Sequence, residues 1–267
     1  MGHPVAHSKS PAIHRRFARQ FGLPLEYAAI DVPPGGFPRA VAEFRAGGGE
    51  GLNVTVPFKV EAYELADRPS PRARQAGAAN TLKFEAGGAI FADNTDGVGL
   101  LRDLTGNLGR AVQGGRLLVA GAGGAVRGIL GPLLEAGPAE LVVANRTVAR
   151  ARELVQHFAP LGRAEAAGYR DLEGRRFDLV INGTAASLAG EVPPLPAGLF
   201  APGGLAYDLM YADRPTPFMI WARAQGAARA VDGLGMLVEQ AAESFYIWLG
   251  LRPRTAEVIA ALRGAGA

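Results

Sequence analysis

The sequence predicts an α/β protein of two lobes, an N-terminal α/β domain followed by a doubly wound parallel domain. Three observations predict it. Short apolar strands alternate with helix-length segments from about residue 100 to 235, a glycine-rich turn joins the first of those strands to its helix, and the first hundred residues alternate on their own. The 267 residues suffice for one large domain or two modest ones. Hydrophobic residues at 48% and charged residues at 20% exclude a disordered or fibrous chain.

The elements follow in order. A helix is expected after Pro11, a strand over Glu26 to Val32, and a second helix after the Pro33-Pro-Gly-Gly36 turn. Leu52-Asn-Val-Thr-Val56 reads as a strand feeding a helix at Pro57, a residue tolerated in a first helical turn. Thr81–Phe84 and Ala89–Ala92, joined at Gly87-Gly88, read as a β-hairpin. Leu117–Ala120 is the next strand, leading through Gly121-Ala-Gly-Gly-Ala125 into a helix that Gly137-Pro138 stops. Leu141–Ala144 is a strand, Val148 to Phe158 a helix, and Phe177–Ile181 and Leu205–Leu209 are later strands. The tail from Leu234 to Trp248 is an apolar helix carrying one conspicuous polar residue, Gln240.

Composition narrows the function classes. The net charge of +3 is spread along the chain with no run of five basic residues, so no nucleic-acid partner is expected. Without cysteine there is no disulfide frame and no thiol nucleophile, and four scattered histidines make no metal site. No apolar run approaches the roughly 18 residues of a membrane span, and Met1-Gly-His-Pro lacks the basic head and apolar stretch of a secretory signal. The expectation is a cytoplasmic, metal-free protein with no membrane partner. Lysine is scarce: 25 arginines stand against Lys9, Lys59 and Lys83. A retained lysine suggests a place that needs a compact ammonium able to exchange its proton, which guanidinium is not.

The turn Gly121-Ala-Gly-Gly-Ala125 between a buried strand and a helix lets backbone N–H groups approach a pyrophosphate. An NAD site would carry an acidic residue about 20 positions on, at the end of the next strand. Asn145-Arg146-Thr147 occupies that place, with Arg150 one helical turn later. A carboxylate there would repel a 2′-phosphate, whereas guanidinium pairs with it, so the sequence argues for NADP over NAD.

A second cluster comprises Ser8-Lys-Ser-Pro11, Asn53-Val-Thr-Val-Pro-Phe-Lys59, Asn80 and Asn94-Thr-Asp-Gly97. Neutral Ser, Thr and Asn side chains suit a polyhydroxylated ligand, and Asn53 and Thr55 share a face if they lie in one strand. Lys59 and Asp96 could form a proton-transfer dyad beside a bound alcohol. The alternative at this point is that Ser and Asn serve caps and turns and that Lys59–Asp96 is an ordinary surface ion pair.

The ordered set of His7-Ser-Lys-Ser-Pro11, Asn53–Lys59, Gly77-Ala-Ala-Asn-Thr81, Asp93-Asn-Thr-Asp-Gly97, Gly121–Ala125, Asn145-Arg-Thr147 and Asp232-Gly-Leu-Gly-Met236 through Gln240 resembles the shikimate dehydrogenase family over essentially the whole chain. The resemblance implies a substrate-binding and catalytic domain over 1–99, completed by C-terminal helices at about 236–267. A Rossmann-type NADP-binding domain would span 100–235. It implies NADPH-dependent, reversible reduction of 3-dehydroshikimate to shikimate, a step of aromatic amino-acid biosynthesis, by a monomer or homodimer. By resemblance Lys59 is the acid/base and Asp96 its partner. Ser8 and Ser10 would bind the substrate carboxylate, Thr55, Asn80 and Asp96 with Lys59 its hydroxyls, and Tyr211 and Gln240 would complete the pocket. Gly121, Ala122, Gly123, Gly124, Ala125, Asn145, Arg146, Thr147 and Arg150 would take the NADP phosphates, with Leu209 and Gly233 beside the nicotinamide through their backbones. Asn53 reads as structural support, with ligand contact as the alternative.

Two departures from the family pattern stand out. Asn182-Gly-Thr-Ala replaces the more usual Asn-Ala-Thr-Ser, where the backbone role is expected to persist. Relatives also carry a short apolar strand before the Gly-His-Pro turn, whereas here Met1 abuts Gly2. Either the start lies upstream or the sheet is left with unpaired backbone and lower stability. The competing readings are a quinate/shikimate dehydrogenase of broader substrate and cofactor range, against which Arg146 speaks, and a catalytically silent NADP-binding regulatory homologue, which would be free to lose Lys59 or Asp96. A folate-type dehydrogenase of related architecture lacks support in the Ser-Lys-Ser-Pro and Asn-Thr-Asp-Gly segments.

Overall fold

A computed structural model describes residues 1–264. The chain divides into two compact units. The first is Met1–Gly99 with Val238–Leu262, and the second is Leu100–Leu237 with Arg263 and Gly264 among the described residues.

In the N-terminal stretch the order is α1 (Ser10–Gln20), α2 (Phe37–Ala46), β1 (Gly51–Asn53), α3 (Lys59–Glu64), β2 (Arg68–Pro69), α4 (Pro71–Ala76), β3 (Thr81–Phe84), β4 (Ile90–Asp93) and α5 (Asp96–Arg102). Proline in the first turn of α1, α2 and α4 costs no hydrogen bond, because those N–H groups have no intrahelical acceptor. Ser70 caps α4 by accepting from the Ala73 N–H at 3.0 Å, and Gly77, at φ +57°, ends it. That left-handed turn delivers the chain to Asn80, so a non-glycine residue there would be strained.

The sheet of this unit runs β1-β3-β4-β2, with the predicted hairpin as its centre. Its core is Val32, Phe37, Val41, Leu52, Phe58, Leu82 and neighbouring alanines, with Phe37 stacked on Phe58 at 4.9 Å between centroids. The strand expected over Leu52–Val56 ends at Asn53, beyond which the chain stays extended, Val54 donating to Asn80 O and Thr55 to Met1 O.

The strand expected over Glu26–Val32 does not form. A strand needs a paired neighbour, and among the described residues this segment's strand-type pairing is a single parallel bridge between Asp31 and Gly2. Met1 and Gly2 lie between β1 and this segment, the Met1 ammonium donating to Asn53 O at 2.7 Å. Burial lowers the pKa of that ammonium to about 6. Behind Met1 a cavity of about 570 Å³ runs between the β1 edge and residues 23–28, with Trp248 in its wall.

The second unit holds β5 (Arg116–Ala120), α6 (Gly124–Glu135), β6 (Glu140–Ala144), α7 (Val148–Phe158), β7 (Glu165–Ala167), β8 (Phe177–Asn182), β9 (Phe200–Asp208), α8 (Pro217–Ala224) and β10 (Arg229–Val231). All six strands are parallel, in the order β10-β9-β8-β5-β6-β7. Counted along the chain this is 3-2-1-4-5-6, the doubly wound order whose ligand crevice opens where the order reverses, beside the first strand. Alternate residues of each strand enter different cores. Leu117, Val119, Leu141, Val143 and Ile181 pack against α6 and α7, while Leu118, Ala120, Val142, Val180 and Ala206 pack against α8. Both faces are covered, which is why these strands read as continuous apolar runs.

The chain closes with α9 (Leu234–Leu249) and α10 (Ala256–Gly264). Among the described residues no helix is long and apolar enough to cross a membrane, and no three His, Asp or Glu side chains form a metal-binding group.

Candidate active site

Lys59 opens α3 and Asp96 opens α5, each set at a helix start by the turn before it. Their side chains meet, Lys59 Nζ donating to Asp96 Oδ2 at 2.6 Å. The lysine side chain is 24% exposed and the aspartate 10%, so the ammonium reaches solvent while its partner is shielded. An ammonium carries three donors, and the bond to Asp96 uses one.

The other carboxylate oxygen, Asp96 Oδ1, accepts from Asn80 Nδ2 at 2.8 Å. Asn80 is buried between β3 and the start of α5, and both ends of its amide are engaged. Its Oδ1 accepts from the Thr95 backbone N–H at 2.9 Å, while Nδ2 also donates to Thr95 Oγ1 at 3.0 Å and Gln240 Oε1 at 3.2 Å. Gln240 thus reaches the dyad's immediate support from α9. Asn53 donates from Nδ2 to Ser244 Oγ at 2.9 Å, and accepts at Oδ1 from the Tyr27 hydroxyl at 2.8 Å.

Ser8 and Ser10 stand at the start of α1, the Ser10 N–H donating to Ser8 Oγ at 3.3 Å. Burial raises the Tyr27 phenol well above its ordinary range, opposed by hydrogen bonding to Ser10. Tyr27 therefore stays a neutral donor joining the serine pair to Asn53. Thr55 is exposed beside Gly2, where an added Cβ would lie 2.3 Å from its methyl.

In the second unit Gly121 is held at φ +111°, and a Cβ there would come within 2.9 Å of Gly183 O, so glycine is required on two counts. A Cβ on Gly123 or Gly124 would meet nothing within 4 Å. Ala122 to Ala125 are exposed or half-buried, and α6 has no side-chain cap, leaving its first N–H groups for water or a ligand. Asn145 follows β6 and donates to Thr147 O at 2.9 Å, shaping a loop on which Arg146, Thr147 and Arg150 are exposed. These features fit a dinucleotide: open space above two glycines, unoccupied helix N–H groups, and cations where a 2′-phosphate would sit.

Leu209 and Gly233 approach through their backbones. The Gly233 N–H donates to Met210 O at 2.9 Å, and a Cβ on Gly233 would lie 2.3 Å from Leu209 O. Behind this turn Asp208 is fully buried and accepts from Thr216 Oγ1, Ser187 Oγ, Asn182 Nδ2 and the Met210 N–H. Burial raises its pKa, against the lowering effect of those four donors. The Asn182-Gly-Thr-Ala segment keeps a backbone role, Gly183 N–H donating to Ala120 O and Leu209 N–H to Asn182 O. Tyr211 is half-buried, which raises its pKa.

Sequence reasoning missed Tyr27, Thr81 and Ser244 as members of the polar network, and Asp208 as the anchor of the Leu209 turn. Ser244 had one weak signal, a small hydroxyl residue one turn after Gln240 on a largely apolar helix.

Comparison with known proteins matches three family models in chain order. They are the shikimate dehydrogenase substrate binding domain over residues 1–82, shikimate/quinate 5-dehydrogenase over 104–189, and the shikimate 5′-dehydrogenase C-terminal domain over 233–263. A protein of Alkalilimnicola ehrlichii named shikimate dehydrogenase (NADP(+)) is 62% identical, over 98% of this chain and 97% of its own. The chain belongs to the shikimate dehydrogenase family.

Solved structures of similar proteins agree with the family fold. An Ael1 enzyme from Pseudomonas putida superposes with a TM-score of 0.91 at 51% identity, over 98% of this chain and 96% of its own. A shikimate 5-dehydrogenase from Thermus thermophilus, solved with NADP(H) and shikimate, gives 0.87 at 38% identity over 99% and 97%.

Proposed function

We propose that this chain is an NADP-dependent shikimate dehydrogenase, reducing 3-dehydroshikimate to shikimate reversibly. The observation that carries the reading is the 2.6 Å contact of Lys59 with Asp96. Family membership supplies the substrate and the cofactor, and the exposed Arg146 and Arg150 beside an uncapped glycine turn favour the 2′-phosphorylated form.

NADPH, when bound, supplies the hydride that becomes the new C–H bond. Lys59 holds the carbonyl oxygen through a donor not used by Asp96 and delivers a proton as negative charge develops there. The ammonium becomes a neutral amine, and its 24% exposure lets solvent return the proton. Asp96, oriented by Asn80, fixes the direction of the ammonium and accepts from a neighbouring ligand hydroxyl. Thr55, Asn80, Tyr211 and Gln240 serve the ring hydroxyls, and Ser8 and Ser10 at the start of α1 take the carboxylate. Gly121 to Ala125 hold the pyrophosphate, Asn145 to Arg150 the 2′-phosphate, and the backbones at Leu209 and Gly233 flank the nicotinamide.

The protein so described works in the cytoplasm, as a monomer or homodimer, on small molecules alone. Following NADPH absorbance with NADP and shikimate tests the reading, with quinate and NAD in parallel. Rapid turnover of shikimate with NADP and little with quinate or NAD is expected. Comparable turnover of quinate or use of NAD establishes the broader enzyme, and no turnover of either alcohol establishes a silent homologue.

A further inference from the structure

The polar network behind Asp96 is larger than the dyad needs for its own two hydrogen bonds, and its polarity can be read. Asn53 Nδ2 faces the Asn80 backbone carbonyl at 3.3 Å, a group that only accepts, so its amide nitrogen must point inward. Asn80 Oδ1 faces the Thr95 backbone N–H at 2.9 Å, a group that only donates, so its amide nitrogen must point at Asp96. Between the two amides lie Ser244 Oγ and Thr81 Oγ1, 2.7 Å apart, with a third hydroxyl, Thr95 Oγ1, 3.4 Å from Ser244 Oγ and 3.1 Å from Asn80 Oδ1.

The shortest contacts between these fixed ends run through Ser244 and Thr81, and they set one direction. Asn53 Nδ2 donates to Ser244 Oγ at 2.9 Å. Ser244 then donates to Thr81, and Thr81 to Asn80 Oδ1 at 3.1 Å. Asn80 Nδ2 donates to Asp96 Oδ1 at 2.8 Å. Tyr27 starts the series by donating to Asn53 Oδ1. Every bond then points towards the carboxylate that holds Lys59. The competing acceptors for the Ser244 proton are Gln240 O at 3.1 Å and Thr95 Oγ1 at 3.4 Å, both farther than Thr81 Oγ1.

We propose that Tyr27, Asn53, Ser244 and Thr81 form a directed hydrogen-bond relay that orients Asn80 against Asp96, making them positioning residues for the proton transfer. The inference rests on the dehydrogenase reading above. Thr81, Thr95 and Ser244 are fully buried and Asn80 is 2% exposed, so the bonds from Ser244 onward are shielded from bulk water, while those of Tyr27 and Asn53 are part-buried. Aligned hydrogen bonds in such surroundings polarise one another. A core needing only stability would place apolar side chains here and avoid the cost of burying these four polar ones. Ser244 is one of five serines in the chain and Asn53 and Asn80 are two of six asparagines, so scarce residue types converge on one carboxylate.

The test uses the full chain and the variants Thr81→Val, Ser244→Ala, their double mutant, and Thr81→Ser. The two single apolar variants are expected to lose about fivefold to tenfold in kcat, the worth of one hydrogen bond in the transition state, with KM for shikimate nearly unchanged. Because both break one series, the double mutant falls no further than the worse single variant. Thr81→Ser, which keeps the hydroxyl, retains kcat within about twofold. Folded Thr81→Val and Ser244→Ala with wild-type kcat overturn the relay, as do multiplying losses in the double mutant or a Thr81→Ser as damaged as Thr81→Val. A wild-type chain inactive on shikimate overturns the functional reading instead. The relay is then judged on the Asn80 side-chain amide hydrogens, whose slow exchange should quicken in Ser244→Ala and stay slow if the relay is wrong.

Discussion

Lys59 and Asp96, separated by 37 positions, close to 2.6 Å because each begins a helix at the same end of one small sheet. The pair is off-balance in exposure, the ammonium reaching solvent and the carboxylate shielded and held from behind by Asn80. A surface ion pair of no consequence would have two wet partners and no third group committed to it. This one has the form of a proton donor with a fixed orienting partner.

Lys59→Met should therefore reduce kcat for shikimate oxidation by about a hundredfold or more, the usual worth of a positioned acid/base. Shikimate binding, measured by calorimetry, should persist, because the remaining ring contacts come from other side chains. Lys59→Arg should be no better, since guanidinium does not release its proton in the working range. A methionine variant with most of its kcat would remove Lys59 from the chemistry.

Arg146 is exposed on the loop after β6, where no acidic residue stands. Arg146→Ala should weaken NADP binding by about tenfold to a hundredfold, the equivalent of one or two charge-assisted hydrogen bonds. NAD, which lacks the phosphate, should bind the variant and the parent about equally. Titration of both nucleotides by fluorescence settles the point, and equal losses for the two would show that Arg146 reads something other than the phosphate.

The parallel sheet was legible because its strands, covered on both faces, are unbroken apolar runs such as Leu141–Ala144, and its glycine turn has a local pattern. What escaped was short or non-local. The three-residue β10 has no periodicity to detect, and the Thr216-Pro217 cap before α8 passed unread although the signal was there. Glu26–Val32 has the alternation of a strand, but pairing depends on a neighbour the segment's own residues do not encode. The dyad was legible because its motifs are local. Its support was not, since Tyr27 and Ser244 reach Asn53 across 26 and 191 positions without any motif. Asn80 shows the same limit. Which end of its amide faces Asp96 is decided by the Thr95 N–H, a tertiary fact.

Two glycines separate packing from ligand space. Gly233→Ala would drive a methyl to 2.3 Å from Leu209 O and 2.8 Å from its carbonyl carbon, backbone atoms that cannot rotate away. It should cost about 1–3 kcal/mol of stability and displace the turn at Leu209. Gly123→Ala should leave the thermal midpoint unchanged, because φ −94° and ψ −174° suit any residue and the methyl meets no protein atom within 4 Å. It should still weaken NADP binding if the pyrophosphate occupies that space. Unaltered affinity in a folded Gly123→Ala would place the phosphates elsewhere.

His14 gives the fold an acid sensitivity of known sign. It is fully buried on α1, stacked on Tyr27 at 4.4 Å, and neither ring nitrogen completes a hydrogen bond. Burial, offset in part by the Asn53 side chain nearby, lowers its pKa to about 3. Below about pH 6.5 the unfolded chain binds a proton that the folded chain refuses until about pH 3, so stability falls as pH drops through that window. At pH 5 the loss from this one group is about 2 kcal/mol. His14→Phe keeps a ring against Tyr27 and removes the titration. Between pH 7 and pH 5 the variant should lose less of its denaturant midpoint than the parent, and at pH 7 it should be no less stable, having no unsatisfied nitrogens to bury. Equal acid losses in the two proteins would mean that His14 is protonated, or paired, in the native state.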